Sequence, residues 1–463
     1  MLTNSKIRNI AIIAHVDHGK TTLVDQMFKQ SGTFRENEAV ENRVMDSMDL
    51  ERERGITIAA KNCSVELDGV KVNIIDTPGH ADFGGEVERA LKMVDGAILL
   101  VDASEGPLPQ TRFVLGKALE ANIKIIVCLN KIDRKDARVQ EVLNEVYDLF
   151  IDLGANDEQI EFPVLYAIGR DGIAQNTLEE KGKDLKPLFD TIVKVIPPPK
   201  YDEKEPFQMV VLNLAYSDYL GRLAIGRVMH GSTKKNEKLA RIGKSGEPEA
   251  LRVTKLQVYS GIEYAEVDTA SPGDIIILSG ATDVEIGDTI CTVENPKALP
   301  RVTVDEPTIS MRFMVNTSPF SGREGKHVQS PRIRERLLKE TLHNVALQME
   351  EVPGEDCFIV KGRGEFQMAI LLETMRREGF ELAVGRPQVI MKEENGQLLE
   401  PIEMVCVDCD EQFVGVVTQA LSQKKGRMEN LFNRGGRSRI EFSIPSRGLI
   451  GYRNQFLTDT KGT

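Results

Sequence analysis

No apolar run in this sequence approaches membrane-spanning length, and no apolar signal core follows its first residues, Met1-Leu2-Thr3-Asn4-Ser5-Lys6. A cytoplasmic protein without a membrane partner is therefore expected. Cysteine is scarce: six residues are scattered through the chain, which suits reduced thiols and not a disulfide framework. Cys406-Val407-Asp408-Cys409 has C-x-x-C spacing, but no second pair follows. It also lies in a strand-like run, where residues three apart face opposite sides, so metal or redox chemistry is not expected there. Positive charge is in deficit, with 59 Lys and Arg against 71 Asp and Glu and a formal net charge of −12. Wholesale coating of nucleic acid is excluded by that balance. Tryptophan is absent, yet 41% hydrophobic and 28% charged residues are ordinary for a soluble globular protein. A chain of 463 residues is long enough for several domains, each with its own core.

What is present begins with Ala14-His15-Val16-Asp17-His18-Gly19-Lys20-Thr21. It follows the apolar run Ile10–Ile13 and leads into an amphipathic pattern, Leu23 and Met27, that stops at Gly32. Strand, loop and helix form the context of a phosphate-binding loop, because a helix N-terminus offers unpaired N–H groups and a positive dipole end to an anion. The spacing departs from G-x-x-x-x-G-K-[ST] only in having Ala14 at the first glycine. Asp17, His18, Gly19, Lys20, Thr21 and Thr22 are thus expected around the phosphates, with Lys20 reaching the β- and γ-phosphates and the Thr21 hydroxyl on Mg²⁺. Asp76-Thr77-Pro78-Gly79-His80 follows Val72–Ile75. There Asp76 can hold Mg²⁺ through water, and Gly79 lets a backbone N–H approach the γ-phosphate. Asn130-Lys131-Ile132-Asp133 follows Ile125–Leu129. Asp133 can accept the two N–H groups of the guanine edge, which adenine lacks, while Asn130 bonds the purine from the other side. In this order, each at the C-terminal end of an apolar strand, the three motifs predict GTP and GDP binding.

Residues 1–200 alternate β-runs (Ile10–Ile13, Val72–Ile75, Ala97–Val101, Ile125–Leu129, Val164–Ala167) with helical patterns (Gly85–Val94, Thr111–Leu119, Ala137–Leu149). A parallel sheet covered on both faces follows, with ligand loops at the strand C-termini. The last β-run leads into Ile168-Gly169, where the backbone is expected to meet the guanine carbonyl. The charge-dense segment from Arg35 to Thr57 lacks apolar periodicity and reads as a switch ordered by nucleotide, with Thr57 as second hydroxyl ligand of Mg²⁺. Pro197-Pro198-Pro199 is a stiff linker. Residues 201–304 show short strands between glycine turns, as in a β-barrel. Residues 305–390 read strand, helix, two strands, helix, strand, a ferredoxin-like α+β order. Residues 391–463 restart that order and lack its last strand, so this second ferredoxin-like unit is expected to be incomplete. From Lys424 to Arg439 six positive residues face Glu429 alone, which suggests a local RNA contact.

The three motifs, together with Arg54-Gly55-Ile56-Thr57, resemble those of a translational GTPase. The order of units resembles elongation factor G without its fourth domain. His80-Ala81-Asp82-Phe83-Gly84-Gly85-Glu86, Pro107-Leu108-Pro109-Gln110-Thr111 and Arg447-Gly448-Leu449-Ile450-Gly451-Tyr452-Arg453 are similar to a ribosome-associated branch of that family. Members of this branch continue into a further C-terminal domain that contacts ribosomal RNA and tRNA, and this sequence stops before it. The resemblance implies a monomeric GTPase stimulated at the factor site of the ribosome, with ribosomal RNA, ribosomal proteins and A-site tRNA as partners. It also implies a role in large-subunit assembly and in translation under stress. His80 is expected to align the attacking water. LepA-type back-translocation and a non-hydrolysing GTP-binding scaffold are the alternatives, and a scaffold would have no use for His80.

Overall fold

A computed structural model of the chain describes residues 1–15, 17–32, 49–54, 60–78, 84–217, 219–280, 283–302, 306–344, 346–434 and 436–462. The chain forms two compact units, Met1–Thr303 and Val304–Thr463.

The first unit opens on a doubly covered sheet. Its elements are β1 (Ile7–Ala14), α1 (Lys20–Gln30), α2 (Asp49–Arg54), β2 (Lys61–Leu67), β3 (Val70–Asp76), α3 (Gly84–Met93), β4 (Gly96–Asp102), α4 (Pro109–Glu120), β5 (Lys124–Asn130), α5 (Val139–Asp152), β6 (Val164–Ile168), β7 (Ile173–Gln175) and α6 (Lys186–Val195). The seven strands lie in the order β2-β3-β1-β4-β5-β6-β7. The five inner strands are parallel, as their near-continuous Val, Ile and Leu runs require for burial on both faces. Ala11, Ile13, Leu99 and Val101 pack under α3, α4 and α5. Ile10, Ile12, Ile98 and Leu100 pack against Leu23, Met27 and Phe28 of α1 and Leu188 and Ile192 of α6. The all-parallel expectation fails at both edges, since β2 and β7 run antiparallel to their neighbours. The charge-dense segment before Thr57 contains a helix, α2, whose Glu51 is fully buried against Lys61 of β2.

Residues 208–292 form an antiparallel sheet of eight strands. The stretch from Pro248 to Ser260 belongs to its first strand and then, past Val253-Thr254, to its seventh, which winds the sheet into a barrel. This barrel meets the N-terminal ends of β1 and β3 through a polar seam. Asn9 Nδ2 donates to Gly273 O (2.9 Å) and to Asp95 (3.0 Å), and Asn73 Nδ2 donates to Asn9 Oδ1 (2.8 Å) and Asp274 (3.2 Å). Lys71 Nζ lies 2.9 Å from Asp274, and Arg227 lies 2.7 Å from Asp95. At the sheet edge Ser64 of β2 donates its hydroxyl to Tyr259 O (2.6 Å) and pairs in the backbone with Gly261. The proline linker is part of this fit: Pro199 O accepts from Asn4 N at 2.9 Å.

The second unit contains two α+β layers. Strands 348–351, 357–362, 309–315 and 382–384 are hydrogen-bonded in that order, with helices Ser330–His343 and Glu365–Arg377. Strands Ile402–Asp410, Arg437–Pro445 and Arg427–Arg434 form the second sheet, with helix Val414–Gln423. Phe380 makes an isolated bridge to His327 just before its strand, and near the end of the chain Gly451 (φ 71°) separates the helices Ser446–Leu449 and Tyr452–Asp459. Cys406 and Cys409 lie on opposite faces of the strand Ile402–Asp410 and are not joined in a disulfide.

Candidate functional site

Parallel pairing brings the C-terminal ends of β1, β3 and β5 to one edge of the sheet, and all three motifs follow those ends. Gly19 sits at the turn into α1 with φ 93°, and a Cβ there would come 2.4 Å from Asn130 Nδ2. Only glycine serves both demands. Lys20, the first residue of α1, places Nζ 2.7 Å from Asp76 Oδ1 and donates to Thr77 O at 2.7 Å. Asp76 is 1% exposed, so a buried carboxylate and the lysine charge are held together at the end of β3. Thr77 Oγ1 ties that end to Ile12 O of β1 at 2.8 Å. Asp17 (φ 64°) and Thr22 are exposed beside this pair and Thr21 is half-buried.

Asn130 holds the loops in place. Its Nδ2 donates to His18 O (2.8 Å) and its Oδ1 accepts from Gly169 N (2.8 Å), joining the phosphate loop to the loop after β6. One N–H and one lone pair of the Asn130 amide are thus committed within the protein. The Gly169 N–H, expected to face the guanine carbonyl, is committed with it. Lys131 (φ 60°) places Nζ 2.7 Å from Asp102, which is fully buried. Burial alone would raise the Asp102 carboxyl, but hydrogen bonds from Lys131 and Ser104 outweigh it and hold it at about 2. Asp133 remains partly exposed, with the Arg170 guanidinium 3.5 Å away. Arg170 carries no motif signature and escapes sequence reading.

The His18 ring is turned into the protein. It is fully buried, with Nδ1 3.3 Å from Leu100 O and Nε2 3.5 Å from Glu105. Burial lowers it to about 4 against the pull of the Leu100 carbonyl, so the ring is neutral at pH 7. His15, with its centroid 5.3 Å away, is likewise lowered to about 4 by burial and by His18. Of His18 only the backbone faces the loop. Thr57, Gly79 and His80 lie outside the described residues, between the described ends Arg54 and Ala60 and between Pro78 and Gly84.

The basic stretch after Lys424 forms the hairpin of strands Arg427–Arg434 and Arg437–Pro445. Its charge is less free than the sequence implies. Arg439 is bidentate to Asp408 (2.9 and 3.0 Å), and Lys424 lies 5.6 Å over the Tyr452 ring. Arg437 is exposed, as are Met428 and Phe432.

Comparison with known proteins agrees with this arrangement. Residues 5–198 match the elongation factor Tu GTP binding domain, 206–293 match elongation factor G domain 2, and 397–463 match the elongation factor G C-terminus. The chain is 51% identical over 460 residues to the large ribosomal subunit assembly factor BipA of Haemophilus influenzae, covering 99% of this chain and 75% of that protein. It is 51% identical over 459 residues to the BipA of Escherichia coli K12 and 50% identical over 463 residues to that of Bacillus subtilis, covering 76% of each. A crystal structure from Thermus thermophilus shares the fold with a TM-score of 0.70 at 17% identity, covering 99% of this chain and 96% of that one. A GTP-binding sheet with its three motifs at one edge, the barrel that follows it and identity of this extent across the chain lead to one conclusion: the chain belongs to the BipA family of translational GTPases.

Proposed function

We propose that this GTPase acts on the ribosome at the translation-factor site, as a monomer, in assembly of the large subunit and in translation under stress, with ribosomal RNA and A-site tRNA among its contacts. The observation that carries the reading is the Lys20–Asp76 pair at 2.7 Å, at the mouth of α1 and at the edge where the three motifs meet. A buried ion pair of this kind is poised for exchange. An incoming γ-phosphate takes the lysine, and the freed carboxylate becomes available to a cation. Thr21, Thr57 and Asp76 are the residues assigned to Mg²⁺, which when bound neutralises charge on the phosphates. Hydroxyl and carboxylate oxygens suit that hard cation, which keeps several waters and takes one or two carboxylates besides phosphate oxygens.

Gly19, Lys20 and the first turn of α1 bind phosphate, Gly79 contributes backbone, and Asp133 with Lys131 frames guanine. Phosphoryl transfer leaves the protein mainly positioning and electrostatics to supply, so His80 is assigned to align water. Residues 1–200, 201–304, 305–390 and 391–463 are assigned as GTPase, barrel and two ferredoxin-like domains. GTP turnover measured with and without ribosomes tests the proposal: slow turnover alone and a large increase on ribosomes are expected, and an unchanged rate would overturn it.

A further inference from the structure

We propose that Phe320 and Arg323 form a stacking platform for one unpaired RNA base. The inference rests on the ribosomal reading above and adds a residue-level contact to it. Single exposed apolar side chains are common on protein surfaces and carry no argument alone. Phe320 differs in how its loop is built. The Glu381 carboxylate accepts from Asn316 Nδ2 (2.7 Å) and from the backbone N–H groups of Gly322 (3.0 and 3.1 Å), Glu324 (3.2 Å) and Gly325 (3.0 Å). Gly379 O accepts from Lys326 N (2.8 Å) and His327 N (3.0 Å), and the His327 ring packs on Phe380 with centroids 4.9 Å apart. Gly325 has no room for a side chain, since a Cβ would come 2.5 Å from Glu381 Cβ and 2.7 Å from its N. The segment is tied to the Glu381 carboxylate and the Gly379 carbonyl, with Phe320 and Arg323 at the turn between.

On that rigid loop Phe320 is 62% exposed. The Arg323 guanidinium lies 4.8 Å from the ring centroid, and Arg323 N donates to Phe320 O at 3.3 Å. One face of the ring is therefore backed by a cation, and most of the ring surface remains in water. The surroundings decide the class of partner. A protein interface core gathers several apolar side chains, whereas the chain around Phe320 is mostly polar or glycine, with Ser318, Ser321, Gly322, Arg323, Glu324 and Lys326 beside the single apolar Pro319. An exposed flat ring with a guanidinium on one face, and a second exposed cation in the same loop, matches a base and its phosphates: stacking supplies contact for any base, and Arg323 and Lys326 answer the backbone charge.

The test uses the full chain and a seven-nucleotide single-stranded RNA carrying one central 2-aminopurine, whose fluorescence is quenched by stacking. The parent protein is expected to quench it, and the duplex of the same sequence is not. Phe320→Ala should weaken the quenching interaction about 5- to 150-fold, the range for loss of one stacked base. Phe320→Tyr should retain it. Glu381→Gln, which loosens the loop without touching the ring, should weaken it less than Phe320→Ala. Equal quenching by parent and Phe320→Ala, or quenching of the duplex as strong as of the single strand, would overturn the platform. Loss of ribosome binding by Phe320→Ala with unchanged quenching would also overturn it, assigning the loop to a ribosomal protein. Co-sedimentation of the parent with ribosomes is measured beside this. Its failure would sink the ribosomal reading while leaving the oligonucleotide result to stand or fall by itself.

Discussion

Asn130 and His18 are 112 residues apart in the chain, and the Asn130 amide donates to the His18 carbonyl at 2.8 Å while accepting from Gly169. The side chain fixes the height of the phosphate loop against the loop after β6 before any nucleotide arrives. Asn130→Ala would leave a buried carbonyl and a buried N–H unpaired, each at about 1–3 kcal/mol. We expect a lower melting temperature for the nucleotide-free protein as well as weaker GTP binding. Weaker binding with unchanged stability of the empty protein would confine Asn130 to base recognition.

The guanine frame makes a separate prediction. Asp133→Asn exchanges an acceptor oxygen for an NH₂ donor, which suits the C2 carbonyl of xanthine, so preference should move from GTP towards XTP. Lys20→Ala should abolish tight binding of either nucleotide and leave Asp76 buried without its cation. Equilibrium titration with both nucleotides checks the pair. An Asp133→Asn protein that still strongly prefers GTP would refute the assignment.

Acid should unfold the first unit through its two inward histidines. His15 and His18 are lowered from 6.5 to about 4, so between those values the unfolded chain binds the more protons. The stability they contribute is complete above pH 6.5 and is lost as pH falls towards 4, at about 1.4 kcal/mol per pH unit for each ring. Urea unfolding at pH 7 and pH 5 measures the slope. His18→Gln should flatten it, and a parallel decline in the variant would exonerate the ring.

How much of this was legible in the sequence depends on where the hydrogen-bond partners lie. The inner strands were readable because burial on both faces writes an apolar run, and the phosphate loop because Gly19-Lys20 follows one. Strand β2 was not, because Asn62 and Ser64 break its apolar character. Both are buried, and the Ser64 hydroxyl is satisfied by Tyr259 of the barrel, nearly two hundred residues away. Strand β7, with three residues, is too short to show a period. The inward turn of His18 depends on Leu100 and Glu105, and the order of the Phe320 loop on Glu381, so neither has a local signature. The basic hairpin was found, but Asp408 opposite Arg439 was not counted against it.

That hairpin should still show in salt dependence. Reversing Arg434 and Arg437 to Glu should weaken ribosome association and flatten its slope with log salt, by about one unit for each phosphate no longer neutralised. Co-sedimentation across a salt series reads both quantities, and an unchanged slope would mark the hairpin as merely solvated.

His80 separates water alignment from binding. His80→Ala should bind GTP nearly as well as the parent and lose the ribosome-stimulated rate by roughly 10²–10⁴, or about 3–5 kcal/mol of barrier. Single-turnover hydrolysis on saturating ribosomes is the measurement. Retention of the stimulated rate would give the task to another group.

The polar seam between sheet and barrel has a consequence for domain exchange. Asn9, Lys71, Asn73 and Asp95 on one side answer Arg227, Gly273 and Asp274 on the other, and several of these groups are buried. A barrel transplanted from a distant relative with an apolar residue at 274 would take the carboxylate from Lys71 and one of its two acceptors from the Asn73 amide. Transplanted without Arg227, it would leave Asp95 its bond from Asn9 but take away the guanidinium 2.7 Å from it. Grafts between family members should therefore succeed as matched sets of these residues and fail at this seam even where each half folds well alone, so the boundary for building chimaeras is chemical and does not coincide with the proline linker.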